Sequence, residues 1–256
     1  MTGSAAFFDL DHVLIPGSSL FLMARDLRSH DVYRAGDLMR TGARRTRIRM
    51  ARESDRDLDA MRQEALSSIT GRSQVEVKAW CRQLAAYEIL PRVYPDMAKM
   101  IAAHCAAGDH TYLVTAAPLE LAEPVARSLD MTRALGSIAE TDVGGRYTGK
   151  LVGERLQGVA RGAAIAAIAD REDLDLRRCH VYSNTIDDKQ LLTGVGHPHA
   201  VNPDLKLWKV AVRRGWAVHE LRPIRRQILV GAPPFVPISA LIGLGYAAGI
   251  LRSRRR

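Results

Sequence analysis

Asp9 and Asp11 stand one residue apart at the end of a short apolar run, Ala5 to Leu10. Further along, Leu113-Val114 leads into Thr115-Ala116-Ala117, a small hydroxyl followed by small residues. Val181-Tyr182 leads into Ser183-Asn184-Thr185, with Asp187-Asp188 close behind. Each group follows a run with the composition of a buried strand. In open α/β sheets ligands bind beyond the carboxyl ends of the strands, so the three groups are expected on one edge. Two carboxylates, a hydroxyl and a polar-acidic cluster are hard oxygen donors. Together they could hold Mg2+ and place a phosphate beside it.

The elements that must position them follow from the pattern. Ala5 to Leu10 reads as a first strand, whereas residues 18 to about 88 contain no comparable run. That stretch reads as helices at Ser18–His30, Tyr33–Arg52, Asp55–Ile69 and Ser73–Tyr87, with Thr70-Gly71 as a stop and Ser73 as an N-cap. Leu90 to Pro95, with two prolines, reads as a return linker. Strands and helices then alternate: a helix Met97–Ala107, a strand His110–Thr115, a helix Leu119–Leu129 and a strand Ala134–Ile138. Gly144-Gly145 turns a hairpin within Thr141–Val152. A helix Gly158–Ala169, a strand Cys179–Ser183, a helix Asp187–Thr193, a strand Pro198–Val201 and a helix Asp204–Arg214 complete the series. Such alternation implies a parallel sheet wrapped by helices, with a helical insertion after the first strand.

These motifs resemble a family. Phe7-Phe8-Asp9-Leu10-Asp11-His12-Val13 is similar to the first motif of the haloacid dehalogenase (HAD) superfamily, and Leu113-Val114-Thr115-Ala116-Ala117-Pro118 to its second. Val181 to Asp188, and the run Gly196 to Asp204 followed by Arg214-Gly215-Trp216, resemble subfamily IB, the phosphoserine-phosphatase-like branch. The likeness covers roughly residues 5–220, with the motifs in the right order. It implies an α/β fold, a Rossmann-like parallel sheet sandwiched by helices, with an all-helical C1 cap inserted after the first strand. The expected organisation is a core segment 1–15, a cap 16–90, a core segment 91–222 and a tail 223–256. The implied chemistry is phosphomonoester hydrolysis through an aspartyl-phosphate. Asp9 would be the nucleophile, and Asp11 the acid for the leaving alcohol and then the base for water. Thr115 and the Ala116 N–H would bind phosphate oxygens. Mg2+ would be held by Asp9, the Asp11 carbonyl and the fourth motif.

Two departures stand out. The family's third-motif Lys falls on Arg161, in Gly158-Val159-Ala160-Arg161, where Arg keeps the charge and can grip phosphate. Lys150 is the alternative cation. The fourth motif's metal-binding Asp is Asn184, which can ligate through its carbonyl oxygen but brings no charge. Asp188 matches the family's second acid and would hold a metal-bound water; Asp187 reads as a solvated acid at a helix start. Relatives that hydrolyse phosphoserine carry a Glu where this chain has Ser18, which argues against an amino-acid substrate. Arg40, Arg44, Arg45, Arg47, Arg49 and Arg52 share one cap helix, either as a solvated face or as a cationic lip for an anionic phosphoester or lipid headgroup. His197 and His199 lack ligand-like partners and read as structural.

The chain carries 37 Lys and Arg against 28 Asp and Glu, a net charge of +9. Residues 213–256 hold nine Arg and one acid, so the first 212 residues are nearly neutral. That division argues against nucleic acid as a partner. Three widely spaced cysteines and an N-terminus without a signal pattern fit a cytoplasmic protein. Ile228 to Leu251 is a run of 24 uncharged residues flanked by arginines and broken by Pro233, Pro234 and Pro237. A helix from Pro237 to Leu251 would reach about 22 Å, short of a hydrocarbon core of roughly 30 Å. Spanning, lying at the interface and packing on the body all stay open; association with a membrane surface is the expectation. Two function readings result: a Mg2+-dependent phosphatase, on a phospholipid-linked or other anionic phosphoester, or, as the resemblance and the departures at Asn184 and Arg161 imply, a degenerate regulatory or binding scaffold affecting bacterial development with little or no turnover.

Overall fold

The computed structural model describes residues 3–30, 63 and 65–222. The helix expected at Tyr33–Arg52, most of that at Asp55–Ile69, the six cap arginines and the tail from residue 223 lie outside the described residues. The chain divides into two units, Met1–His219 and Glu220–Arg256. Of the second only Glu220 to Arg222 is described; Arg222 Nε donates to Glu220 Oε1 at 2.5 Å.

In chain order the first unit comprises β1 (Ala5–Phe8), α1 (Ser19–His30), α2 (Gln74–Leu84), α3 (Pro95–Ala106), β2 (His110–Pro118), α4 (Leu119–Ser128), β3 (Arg133–Thr141), β4 (Tyr147–Val152) and α5 (Val159–Arg171). It continues with β5 (His180–Ser183), α6 (Lys189–Gly194), β6 (His197–Val201), α7 (Leu205–Arg214) and β7 (Ala217–His219). Residues 65–69 are also helical. The seven strands make one sheet in the order β4-β3-β2-β1-β5-β6-β7. Every pairing is parallel except the β3–β4 hairpin. β1 is central and buried along its whole length, as a four-residue apolar run requires. Its alternation feeds both faces. Phe7 joins Tyr112, Val114, Ile165 and Val181 in one core cluster, while the Phe8 ring stacks on Tyr182 with centroids 4.3 Å apart.

Local chemistry sets most boundaries. Ser73 caps α2 through a full capping box, its hydroxyl accepting from the Glu76 N–H while the Glu76 carboxylate accepts from the Ser73 N–H. The α-helix ends at Leu84 rather than Tyr87; a π turn (Ala85–Ile89) and a 3-10 turn (Leu90–Arg92) carry the chain back. Pro95 is not linker but the first residue of α3, where its missing N–H costs nothing. Asp204 caps α7, and Gly215 ends it at φ 69°. β2 and β3 run longer than their apolar cores suggest. At Gly136 of β3 an added Cβ would come within 2.7 Å of the Leu119 backbone, so only glycine permits this approach.

Candidate active site

The carboxyl ends of β1, β2 and β5, the three adjacent central strands, bring the three residue groups to one edge. Asp9 follows β1 directly, and its N–H donates to the Tyr182 carbonyl (3.1 Å), fixing it beside β5. Its carboxylate is held at both oxygens. Oδ1 accepts from the Leu10 N–H at 2.7 Å and Oδ2 from Arg161 Nη1, also at 2.7 Å. Beyond Asp9 the chain turns tightly, with the Leu14 and Ile15 N–H groups donating to the Leu10 carbonyl and His12 at φ 61°. Asn202 Nδ2 donates to the His12 carbonyl at 2.7 Å, tying this turn to the end of β6. The turn presents Asp11 to the start of α1, where its Oδ1 accepts from the Ser19 N–H at 2.8 Å. A helix N-terminus is a favourable place for a carboxylate.

Arg161 lies in the first turn of α5. Gly158 caps that helix at φ 54°, a conformation glycine adopts readily and side-chain-bearing residues do not. From there Arg161 reaches inward, and Nη1 donates to Asp9 and to Asp188 Oδ2 (2.5 Å). Ser183 Oγ donates to the same Asp188 oxygen at 2.6 Å. All four side chains are buried. The Arg-for-Lys replacement is thereby accommodated, with one fork nitrogen bridging two acids. Lys150 lies on β4 and is exposed; Asp187 is exposed too. Arg161 Nη1 is engaged by the two carboxylates, while Arg161 Nε is buried without a hydrogen-bond partner.

Burial pushes the Asp9 carboxyl up to about 7; the Arg161 guanidinium pulls it down, and the neighbouring Asp188 and Asp11 push it up again. Burial also works against the Arg161 charge, but Asp9 and Asp188 hold its pKa above the ordinary value. Arg161 is therefore a fixed cation. When Asp9, Asp11 and Asp188 are all ionised, the group keeps two uncompensated negative charges.

Thr115 is buried at the end of the β2 apolar run, its Oγ1 accepting from the Ala117 N–H at 3.1 Å. That bond leaves the hydroxyl proton to be donated. Ser137 Oγ donates to the Ala116 carbonyl at 2.9 Å and fixes the neighbouring peptide. Asn184 follows β5, and its carbonyl accepts from the Asp204 N–H at 2.8 Å. Among the described residues no three His, Cys, Asp or Glu side chains form a metal cluster. The residues that would hold a cation are a mixed set of oxygen donors: the Asp9 carboxylate, the Asp11 carbonyl and the Asn184 side-chain amide. Asp188 Oδ1 is buried without a hydrogen-bond partner. A carboxylate oxygen left bare, hard donors and two surplus negative charges fit a small divalent cation.

Three features were not legible beforehand. The Ser19 contact to Asp11 depends on how α1 enters, and the Asn202 anchor on the end of a strand 190 residues away. A third is an apolar cavity over Asp11, lined from both cap and core.

Comparison with known proteins places these features. Residues 6–193 match the model of the haloacid dehalogenase-like hydrolase family. Phosphoserine phosphatase SerB1 of Mycobacterium tuberculosis is 35% identical over 254 residues, covering 99% of this chain and 81% of that protein. The inhibition of morphological differentiation protein of Streptomyces azureus is 31% identical, covering 96% and 90%. A crystal structure of a protein of unknown function from Bordetella pertussis Tohama I superposes with a TM-score of 0.72 at 28% identity, covering 87% of this chain and all of that one.

Proposed function

The chain belongs to the haloacid dehalogenase-like hydrolase family and is a hydrolase of phosphoric monoesters; we propose that it works through an aspartyl-phosphate formed on Asp9. The observation that carries this is the buried Asp9–Arg161–Asp188 array beside Asp11. Arg161 and the Leu10 N–H orient the Asp9 carboxylate, so the nucleophile enters the reaction positioned rather than mobile. An Asp9 oxygen attacks phosphorus as the ester oxygen leaves, and Asp11, held off the nucleophile by Ser19, donates its proton to that oxygen. In the second half Asp11 takes a proton from water, which releases phosphate and restores Asp9. Thr115 and the Ala116 N–H bind the non-reacting phosphate oxygens. Asp9, the Asp11 carbonyl and Asn184 would hold Mg2+, with Asp188 nearby; when bound, the ion supplies positive charge beside the transferring phosphoryl group.

A small-molecule phosphoester is the substrate class; the lipid-linked one expected from the tail and the cap arginines has no support among the described residues. The regulatory reading rested on Asn184 and Arg161. It is not favoured, because Arg161 already ties nucleophile and second acid together. Phosphate release from an aryl phosphate, with and without Mg2+, tests the function. Wild type is expected to require Mg2+, and Asp9→Asn to lose activity by at least about 1,000-fold. Equal release by Asp9→Asn would overturn the covalent mechanism.

A further inference from the structure

A cavity of about 100 Å³ is lined by Asp11, the group that protonates the leaving alcohol in the reading above, and by residues of α1, α2 and the end of β2. Its wall is formed by Met23, Leu66, Ile69, Val77, Trp80 and Leu151, with the small Ala116 and Ala117 at the core edge. Among the described lining residues Asp11 is the one acid and Arg155 the one base. The Asp11 carboxylate is engaged by the Ser19 N–H and by the reaction itself. No second carboxylate is found among these described residues, and Ser18 is part of the lining. Ser18 and Ser19 are both buried, and both hydroxyls lack a hydrogen-bond partner. Cys81, on the same wall, is a buried thiol pushed up to about 12 by desolvation and by Glu120, so it adds no charge.

We propose that the leaving alcohol of the substrate is compact, uncharged and largely apolar, and that it carries at most one neutral polar group, paired with Ser18 and Ser19. This rests on the phosphatase reading above. A zwitterionic amino-acid side would lose the hydration of its charged groups in this cavity without gaining a partner for its ammonium. An alkyl group gains simply by leaving water. A cavity of about 150 Å³ holds benzene, so this one suits an alkyl group of about four carbons. The chain thus differs in substrate from a phosphoserine phosphatase despite the shared catalytic groups.

The test measures kcat/KM of the full chain with Mg2+ for isobutyl phosphate, O-phosphoethanolamine and O-phospho-L-serine, three alkyl esters of similar size. Isobutyl phosphate is expected to exceed both charged esters by at least about tenfold. Ser18→Glu, which puts a carboxylate into the lining, should shift the ratio towards O-phosphoethanolamine by about tenfold or more. Leu66→Ala provides a second readout: it should favour a longer alkyl phosphate over isobutyl phosphate. Phosphoserine turnover equal to or above that of isobutyl phosphate overturns the cavity inference and leaves the phosphatase reading standing. Release from none of the three, nor from an aryl phosphate, overturns both.

Discussion

Arg161 carries an unusual burden for one side chain: it is buried, and a single nitrogen serves two buried carboxylates. Taking such a charge out of water costs several kcal/mol, and only the paired acids offset it. Removing the cation while leaving the acids should therefore be severe. Arg161→Met is expected to destabilise the fold by roughly 3–5 kcal/mol in urea unfolding. Arg161→Lys, which restores an ammonium at that position, should keep activity within about tenfold while Arg161→Met loses it. An Arg161→Met protein of wild-type stability would mean that the array is not a buried ion network. Asn184 invites the opposite experiment. An Asp there adds one negative charge to the oxygen set, so Asn184→Asp should lower the Mg2+ concentration for half-maximal phosphate release by roughly tenfold. An unchanged Mg2+ dependence would remove Asn184 from the ligands. The identity of these residues was legible from spacing, but not what they touch. Gly158-Val159-Ala160-Arg161 does not show that its guanidinium will reach two carboxylates, because that depends on how far α5 sits from β1.

At the scale of elements, the strands that matter most were the easiest to read. β1, β2 and β5 are buried on both faces, so each is built round an apolar run with its polar residues at the ends. β7 is three residues long and gave no such signal. Nor did the sequence reveal that His180 on β5, His199 on β6 and His219 on β7 form a chain. His180 Nδ1 lies 3.0 Å from His199 Nε2, and His199 Nδ1 3.0 Å from His219 Nε2. Residues 19 or 20 apart meet only because parallel pairing sets that register, which composition does not encode. The chain has a consequence for acid stability. Burial, then the neighbouring His219 and His180, lower the His199 pKa to about 3 from an ordinary value of 6.5. A base whose pKa falls on folding stays neutral in the native state while the unfolded chain takes up a proton. Its contribution is complete above about pH 6.5 and is lost as pH falls towards about 3. Over that window His199 should make unfolding easier by about 1.4 kcal/mol per pH unit at most. Denaturant midpoints measured between pH 7 and 4 check this against His199→Gln, whose slope should be shallower. Parallel slopes would remove His199 as a source.

For the whole molecule, charge is divided unevenly along the chain. The first 212 residues are nearly neutral, and the catalytic array lies within them; the excess of eight positive charges belongs to residues 213–256. Among the described residues no helix is long and apolar enough to cross a membrane, and the apolar run Ile228 to Leu251 lies outside them. An anionic membrane surface would offer these 24 uncharged residues an apolar gain and would attract the flanking arginines by about 1 kcal/mol each near the surface. The two contributions respond differently to salt, because only the electrostatic one is screened. Full-length protein mixed with vesicles containing anionic lipid should therefore sediment with them, and a chain ending at Arg222 should stay in the supernatant. Release of full-length protein by high salt would identify an interfacial tail, and retention until detergent is added an inserted one. If both chains stay in solution, the apolar run packs against protein and the membrane expectation fails. Activity towards a soluble aryl phosphate should be the same within about twofold for the two chains, since every group assigned to the reaction precedes residue 222. A large loss on truncation would tie the tail to the catalytic unit and overturn the separation that the charge distribution suggests.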